Sequence, residues 1–256
     1  MLAGLPSPSQ VTAPPNTVGP TAHIRAPEPG HRWPNFETLV YDAEWRIWTA
    51  GTATLRMQPG TSGEQRVYGT ADSTGFVSLL YTVHDRFESS FDPRTFCSSR
   101  LVKHTEEGFR KRDTDIRFDY ARGKATLDEK NLKSGETKHV ENQIPPCATD
   151  VLSGLYYVGT LPLQPGTTYS LPLNDGNVTQ TVNAIVETRE QAKVPAGTFR
   201  TIRVQLTATS GAMKDRGKVW IWYSDDAARI PVQMRARMFW GTLTFRLQRI
   251  ERPAPK

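Results

Sequence analysis

No stretch of this 256-residue chain approaches the roughly 20 consecutive apolar residues that a membrane-spanning helix needs. Metal-ligand patterns are missing too. The five histidines (His23, His31, His84, His104 and His139) form no HxxxH or HExxH spacing, and no cysteine pair has zinc-like spacing. There is no Gly-x-Ser-x-Gly elbow, phosphate loop or dinucleotide fingerprint. No cofactor and no metal are therefore expected, and the commonest motif-bearing enzyme classes lose their grounds. Cysteine is scarce, with only Cys97 and Cys147. A bridge between them would close a loop of about 50 residues, worth roughly 4 kcal/mol by chain entropy. In an exported protein the pair is expected to be bonded; in the cytoplasm both stay thiols.

Acidic residues are the minority charge, 26 against 32 basic, for a net charge of +6. The bases are dispersed. Even the densest run, Arg110-Lys111-Arg112, is followed by Asp113 and Asp115. This is the pattern of a solvated face, and no nucleic-acid partner is expected. Met1 to Gln10 lacks a basic region and an apolar core of signal-peptide length. Met1-Leu2-Ala3-Gly4-Leu5 reads as the tail of a signal that starts further upstream.

Proline, by contrast, is concentrated: residues 1–34 hold eight of the 19. Such a segment has too little apolar surface to offset its ordering entropy and is expected to be a disordered tether. Residues 252–256 read the same way, leaving a single β-rich domain over 35–251. Within it, period-two alternation dominates. Residues 39–45, 52–57, 66–71, 76–83 and 87–91 read as strands. Residues 97–105, 109–120 and 124–129 are more polar and read as long exposed hairpin arms. One helix is expected, capped by Thr149 or Asp150 and ended by Gly159 and Pro162. Asn174-Asp175-Gly176-Asn177 is a hairpin turn.

From Lys193 to Leu247 four strands each carry one aliphatic and one mixed face. Ile202, Val204 and Leu206 share a face, as do Val219, Ile221 and Tyr223, Val232 and Met234, and Leu243, Phe245 and Leu247. The expected fold is all-β: a strongly curved antiparallel sheet or partly open β-barrel, with the short helix plugging or flanking it. Trp220 and Trp222 lie opposite the aliphatic face. They either line a concavity or are covered by a helix or second sheet.

Several motifs, in order, carry a family resemblance. They are Leu39-Val40-Tyr41-Asp42-Ala43-Glu44-Trp45 with Gly51-Thr52-Ala53, and Asp85-Arg86-Phe87-Glu88-Ser89 with Asp92. Next come Asp150-Val151-Leu152-Ser153-Gly154-Leu155-Tyr156-Tyr157 and Val194-Pro195-Ala196-Gly197-Thr198-Phe199. The last is Trp220-Ile221-Trp222 with Asp226 and Arg229-Ile230-Pro231-Val232. Over roughly residues 36–248 the chain resembles the domain of unknown function 3108 (DUF3108) family. This family often has a basic residue after the paired tyrosines, where the chain has Val158-Gly159. The resemblance implies a bacterial, mostly β, periplasmic or otherwise exported protein. It favours a Cys97–Cys147 disulfide and leaves the biochemical role open.

The leading expectation is a non-enzymatic envelope protein that binds an apolar or amphipathic ligand, a lipid or a glycan, in an aromatic-lined concavity. Its ligand-binding residues would be Trp45, Tyr156, Tyr157, Trp220 and Trp222. One alternative is an enzyme acting on an envelope polysaccharide, with Asp85, Arg86, Asp226 and Arg229 sharing a cleft. Against it, His84-Asp85-Arg86 also fits a structural network, and Asp225-Asp226 fits turn formation with pairing to Arg229. Another alternative is a structural module that engages an envelope protein partner through a sheet edge.

Overall fold

The computed structural model describes residues 22–28, 31–45, 48–208, 218–238 and 241–253. Among these, alternation becomes fourteen antiparallel strands in one sheet. The first half contains β1 (Thr38–Trp45), β2 (Trp48–Pro59), β3 (Gln65–Ser73), β4 (His84–Phe91), β5 (Ser98–Glu107), β6 (Arg110–Asp119), β7 (Lys124–Asn131) and β8 (Thr137–Gln143). The second half contains β9 (Thr168–Asn174), β10 (Thr179–Val194), β11 (Gly197–Ala208), β12 (Lys218–Ser224), β13 (Pro231–Met238) and β14 (Gly241–Glu251). Helix α1 (Gly75–Leu80) lies between β3 and β4, and α2 (Val151–Thr160) between β8 and β9.

The chain begins in the middle of its own sheet. β1 pairs with both β2 and β14; the chain runs outward strand by strand from β1 to the edge strand β8, then crosses to the other edge at β9 and returns inward to β14. The sheet curls without closing into a barrel. Its edges meet through side chains instead of a strand ladder. Asn174 Nδ2 donates to Asn142 Oδ1 (2.7 Å), Asn142 Nδ2 to the Gly176 carbonyl (2.9 Å), and Thr179 Oγ1 to the Gln143 carbonyl (3.1 Å). Gly176 has φ 98°, and a Cβ there would stand 2.6 Å from Ile116 Cδ1 and Leu127 Cδ1. The turn needs glycine for its backbone and for its close approach to the interior.

The inward residues form two cores. The larger one includes Tyr41, Met57, Val67, Phe91, Leu171, Ile202, Val232 and Leu247, all buried. A smaller one, built on Leu101, Ile116, Phe118, Ala125 and Leu127, sits under β5, β6 and β7. These strands were expected to be exposed arms. Their inner faces are instead sealed by Ile144 and Ala148 of the segment leading to α2. A second difference is α1, where a strand was expected over 76–83. The apolar residues come in pairs, Phe76-Val77 and Leu79-Leu80, a spacing closer to helical than to alternating periodicity.

Helix α2 is too short to persist alone and is held inside the curl. Asp150 caps it in a capping box with Ser153. Leu155, Tyr157 and Val158 pack into the larger core, and the Tyr223 hydroxyl donates to the Leu155 carbonyl (2.6 Å). The described part of the proline-rich segment also touches the domain. The Arg25 backbone N–H donates to the Tyr157 hydroxyl (3.1 Å), and the His23 N–H to the Ser170 carbonyl (3.2 Å). The Trp33 ring lies 5.4 Å from Phe91 and 5.0 Å from Phe96. Chain that was read as tether up to residue 34 is, at these residues, laid along the folded body.

Candidate functional site

Between α2 and the inner sheet face lies a cavity of about 360 Å³. That is near the lower end of the roughly 300–1,000 Å³ span of ligand pockets. Small residues help to make the space: Ala53 on β2 and Gly69 and Ala71 on β3 stand where larger side chains would fill it. Leu152, Leu155 and Val158 of α2 form one wall, and Tyr41 and Ile221 lie across from them. Leu206, Val219, Met234 and Phe245, on four successive strands from β11 to β14, line the cavity but are only partly buried, so it is not fully enclosed on their side. Val151, at the start of α2, is 44% exposed although it belongs to this lining.

The wall carries no charged side chain. Its few polar groups are engaged. The Thr54 and Thr70 hydroxyls bond each other at 2.8 Å, and the Tyr41 hydroxyl donates to the Pro231 carbonyl at 2.8 Å. Burial, above all, pushes the Tyr41 and Tyr223 phenols far above their ordinary pKa, so both stay neutral. The chemistry on offer is apolar burial alone.

None of the five aromatic residues read as ligand-binding lines this cavity. The expectation put the concavity on the tryptophan face of β12; the space lies on the opposite, aliphatic face. The outer end of the β10–β11 hairpin folds across the tryptophan face. There the Ala196 N–H bonds the Leu247 carbonyl (3.0 Å), and Arg246 Nη2 bonds the Lys193 carbonyl (2.9 Å). Trp222 is buried beneath this arm. Its indole N–H donates to Glu190 Oε1 (2.5 Å), and the Arg235 guanidinium stacks 5.4 Å from its ring centroid. Trp220, one turn of the alternation away, is partly buried against the core. Tyr157 is a core residue; Tyr156 faces a separate crevice of about 30 Å³ beside Trp33 and Pro231. Trp45, partly buried at the end of β1, sits opposite the exposed Trp48.

The four polar candidates fall into two unconnected groups. Asp85, on the inner face of β4, accepts the Glu106 N–H (3.0 Å), while Arg86 points the other way and bonds Asp72 (3.0 and 3.1 Å). Burial, with the nearby Glu107 charge adding to it, raises the Asp85 pKa to about 6. In the β12–β13 turn, Asp226 accepts Ser224 Oγ (2.7 Å) and the Ala228 N–H (3.0 Å). The Arg229 guanidinium pairs with Asp225 (3.2 Å) rather than Asp226. The shared cleft expected for polysaccharide chemistry does not form from these four side chains.

Cys97 and Cys147 are disulfide-bonded, with Cα atoms 5.0 Å apart. The bridge ties the β4–β5 turn to the segment that delivers α2 to the cavity. Beside it lies a polar knot that local sequence reading did not assemble. Asp150, fully buried, accepts from Ser89 Oγ and Ser98 Oγ (both 2.6 Å) and from the backbone N–H groups of Leu152 (2.8 Å) and Ser153 (3.1 Å). Strands β4 and β5 and helix α2 are thereby joined through one carboxylate. Among the described residues no helix is long and apolar enough to cross a membrane.

The fold and its cavity define a β-barrel-like protein with an apolar interior and a helical plug. The chain belongs to the DUF3108 family: the model for that protein family of unknown function matches residues 40–248. No curated protein matches the sequence. A solved β-barrel-like protein of the domain of unknown function DUF1849 from Brucella abortus is similar in fold. It is 8% identical with a TM-score of 0.61, over 91% of this chain and all of that one. A protein with a YmcC-like fold from Bacteroides fragilis matches at 9% identity over 90% of this chain and all of its own. Its TM-score of 0.32 is too low to carry an argument.

Proposed function

We propose that this is a non-enzymatic, exported envelope protein that takes the apolar chain of a lipid into the interior of its curled sheet. The observation that carries this reading is the cavity of about 360 Å³ with an uncharged, aliphatic wall. Apolar area removed from water supplies about 25 cal/mol per Å², and this wall has little else to supply. A glycan would need unengaged hydrogen-bonding groups, which the wall lacks, so a lipid is favoured over a sugar. The disulfide supports export to an oxidising compartment. A sheet-edge role is less favoured: β8 carries Lys138, His139 and Glu141 along an exposed edge, a composition that discourages strand addition.

The test is binding of a neutral apolar fluorophore, N-phenylnaphthylamine, and its displacement by single-chain lipids. The wild type is expected to bind it at one site. Gly69→Leu and Ala71→Phe, which place bulk in the cavity, should weaken binding by at least tenfold; Trp222→Phe should not. A wild type that fails to bind, or filled variants that bind as well as the wild type, would show the reading to be wrong.

A further inference from the structure

The cavity wall explains how an apolar chain is held but not what lies at its end. Lys103, which is not part of that wall, stands on the strand beside it. The alternation of β5 puts Leu101, Lys103 and Thr105 on the inner face. In the sheet register Lys103 stands opposite Phe87 of β4, which lines the cavity, and opposite the buried Thr114 of β6. The lysine is therefore on the strand next to the cavity wall, facing inward.

Among the described residues its charge has no dedicated partner. Lys111 and Lys124, on the outer faces of β6 and β7, pair with Glu106 and Glu141. Lys103 makes no such ion pair among the described residues. The acids in whose field it sits are engaged elsewhere. Glu129 is bonded by Arg112 (3.2 Å) and Thr114 (3.4 Å), and Asp150 by its four donors. Asp175 accepts the N–H groups of Asn177 (2.9 Å) and Val178 (3.1 Å). Lys138 adds a like charge. Burial outweighs these acids and pushes the Lys103 pKa below its ordinary value, the mark of an ammonium that has lost water without gaining a full counter-charge. Interior charges are ordinarily paired, because an unpaired one is costly.

Building on the lipid-binding reading, we propose that Lys103 anchors the anionic head group of a single-chain amphiphile whose tail fills the apolar cavity. The tail would lie against Phe87, Leu152 and Val219, and the head, a carboxylate or a phosphate, would meet the Lys103 ammonium. A charge-assisted hydrogen bond in a partly desolvated site strongly favours an anion over a neutral group of similar size.

The test compares dodecanoate, dodecyl phosphate and dodecanol as displacers of N-phenylnaphthylamine from the wild type, Lys103→Met and Lys103→Arg. The wild type should bind the two anions about tenfold more tightly than the alcohol. Lys103→Met should lose that preference while keeping its affinity for dodecanol, and Lys103→Arg should retain it. Tighter binding of the carboxylate than the phosphate would identify a fatty acid as the ligand class; the reverse order would identify a phosphorylated lipid. Equal affinity of the wild type for all three, or an undiminished preference in Lys103→Met, would overturn the proposal and leave the apolar cavity standing. If the neutral probe does not bind the wild type, both readings fall together.

Discussion

Asp150 offers the most direct perturbation of the device that places α2 inside the sheet. Its carboxylate is fully buried and accepts four hydrogen bonds: two from serine hydroxyls on β4 and β5 and two from the first turn of the helix. Asp150→Ala removes the cap, a loss of about 1 kcal/mol. It also strands Ser89 Oγ, whose partner is Asp150, and takes one partner from Ser98 Oγ, which keeps Ser153. Each buried donor left unsatisfied costs about 1–3 kcal/mol. The expected total is roughly 3–5 kcal/mol. At about 2–4 °C per kcal/mol for a domain of this size, the melting temperature should fall by roughly 6–20 °C. Asp150→Asn keeps an oxygen for the helix N–H groups and presents an amide to hydroxyls that can turn to accept it. Its cost should be about 1–2 kcal/mol. The assay is urea unfolding of the oxidised protein, followed by tryptophan fluorescence and circular dichroism together to check for a two-state transition. A loss under about 1 kcal/mol for Asp150→Ala would refute the view that this carboxylate pins the helix to the sheet.

Two further outcomes are expected. Removing the bridge as Cys97→Ser with Cys147→Ser should lower stability by about 4 kcal/mol; an unchanged urea midpoint would show that the loop closure it provides is redundant. Asp85 has a folded-state pKa raised to about 6, so the folded state holds its proton more tightly than the unfolded one. Its influence must therefore cost stability as pH rises from about 4 to 6, by roughly 2–3 kcal/mol at most. Asp85→Asn keeps an acceptor for the Glu106 N–H. It should be more stable than the wild type at pH 7 and lose the advantage near pH 4; melting curves across that range that stay parallel would contradict the assignment.

Much of the architecture is legible in the sequence. Strand alternation is a local property, so Ile202, Val204 and Leu206, or Val219, Ile221 and Tyr223, declare their shared face directly. The Asp150 cap and the Asn174-Asp175-Gly176-Asn177 turn follow from short-range hydrogen bonding and backbone preference. The cavity was less legible. Ala53, Gly69 and Ala71 are inward-facing small residues and were the available signal, but small residues in a strand fit tight packing as well as a void. Trp222 stood out because a large ring opposite an aliphatic face needs a cover. What covers it is the far end of a hairpin whose near end lies elsewhere in the sheet, and no local pattern states that. Asp85 and Asp226 were acids on recognisable strand ends and turns, yet six strand positions separate β4 from β12 in the sheet order.

By itself, then, the sequence determined the all-β class, a short capped helix between two runs of strands, the family and the faces of the strands, while the place of that helix inside the curl was left to the tertiary structure. Tertiary structure alone decided which face encloses empty space. The curl of a fourteen-stranded sheet brings β3, β12 and α2 around one volume, and the β10–β11 arm fills the other side. It also decided that Ser89, Ser98 and Asp150 form one knot, and that Lys103 faces inward with no ion pair among the described residues. Those outcomes depend on contacts between residues far apart in the chain, where the closing of the sheet sets distance and local pattern carries no information.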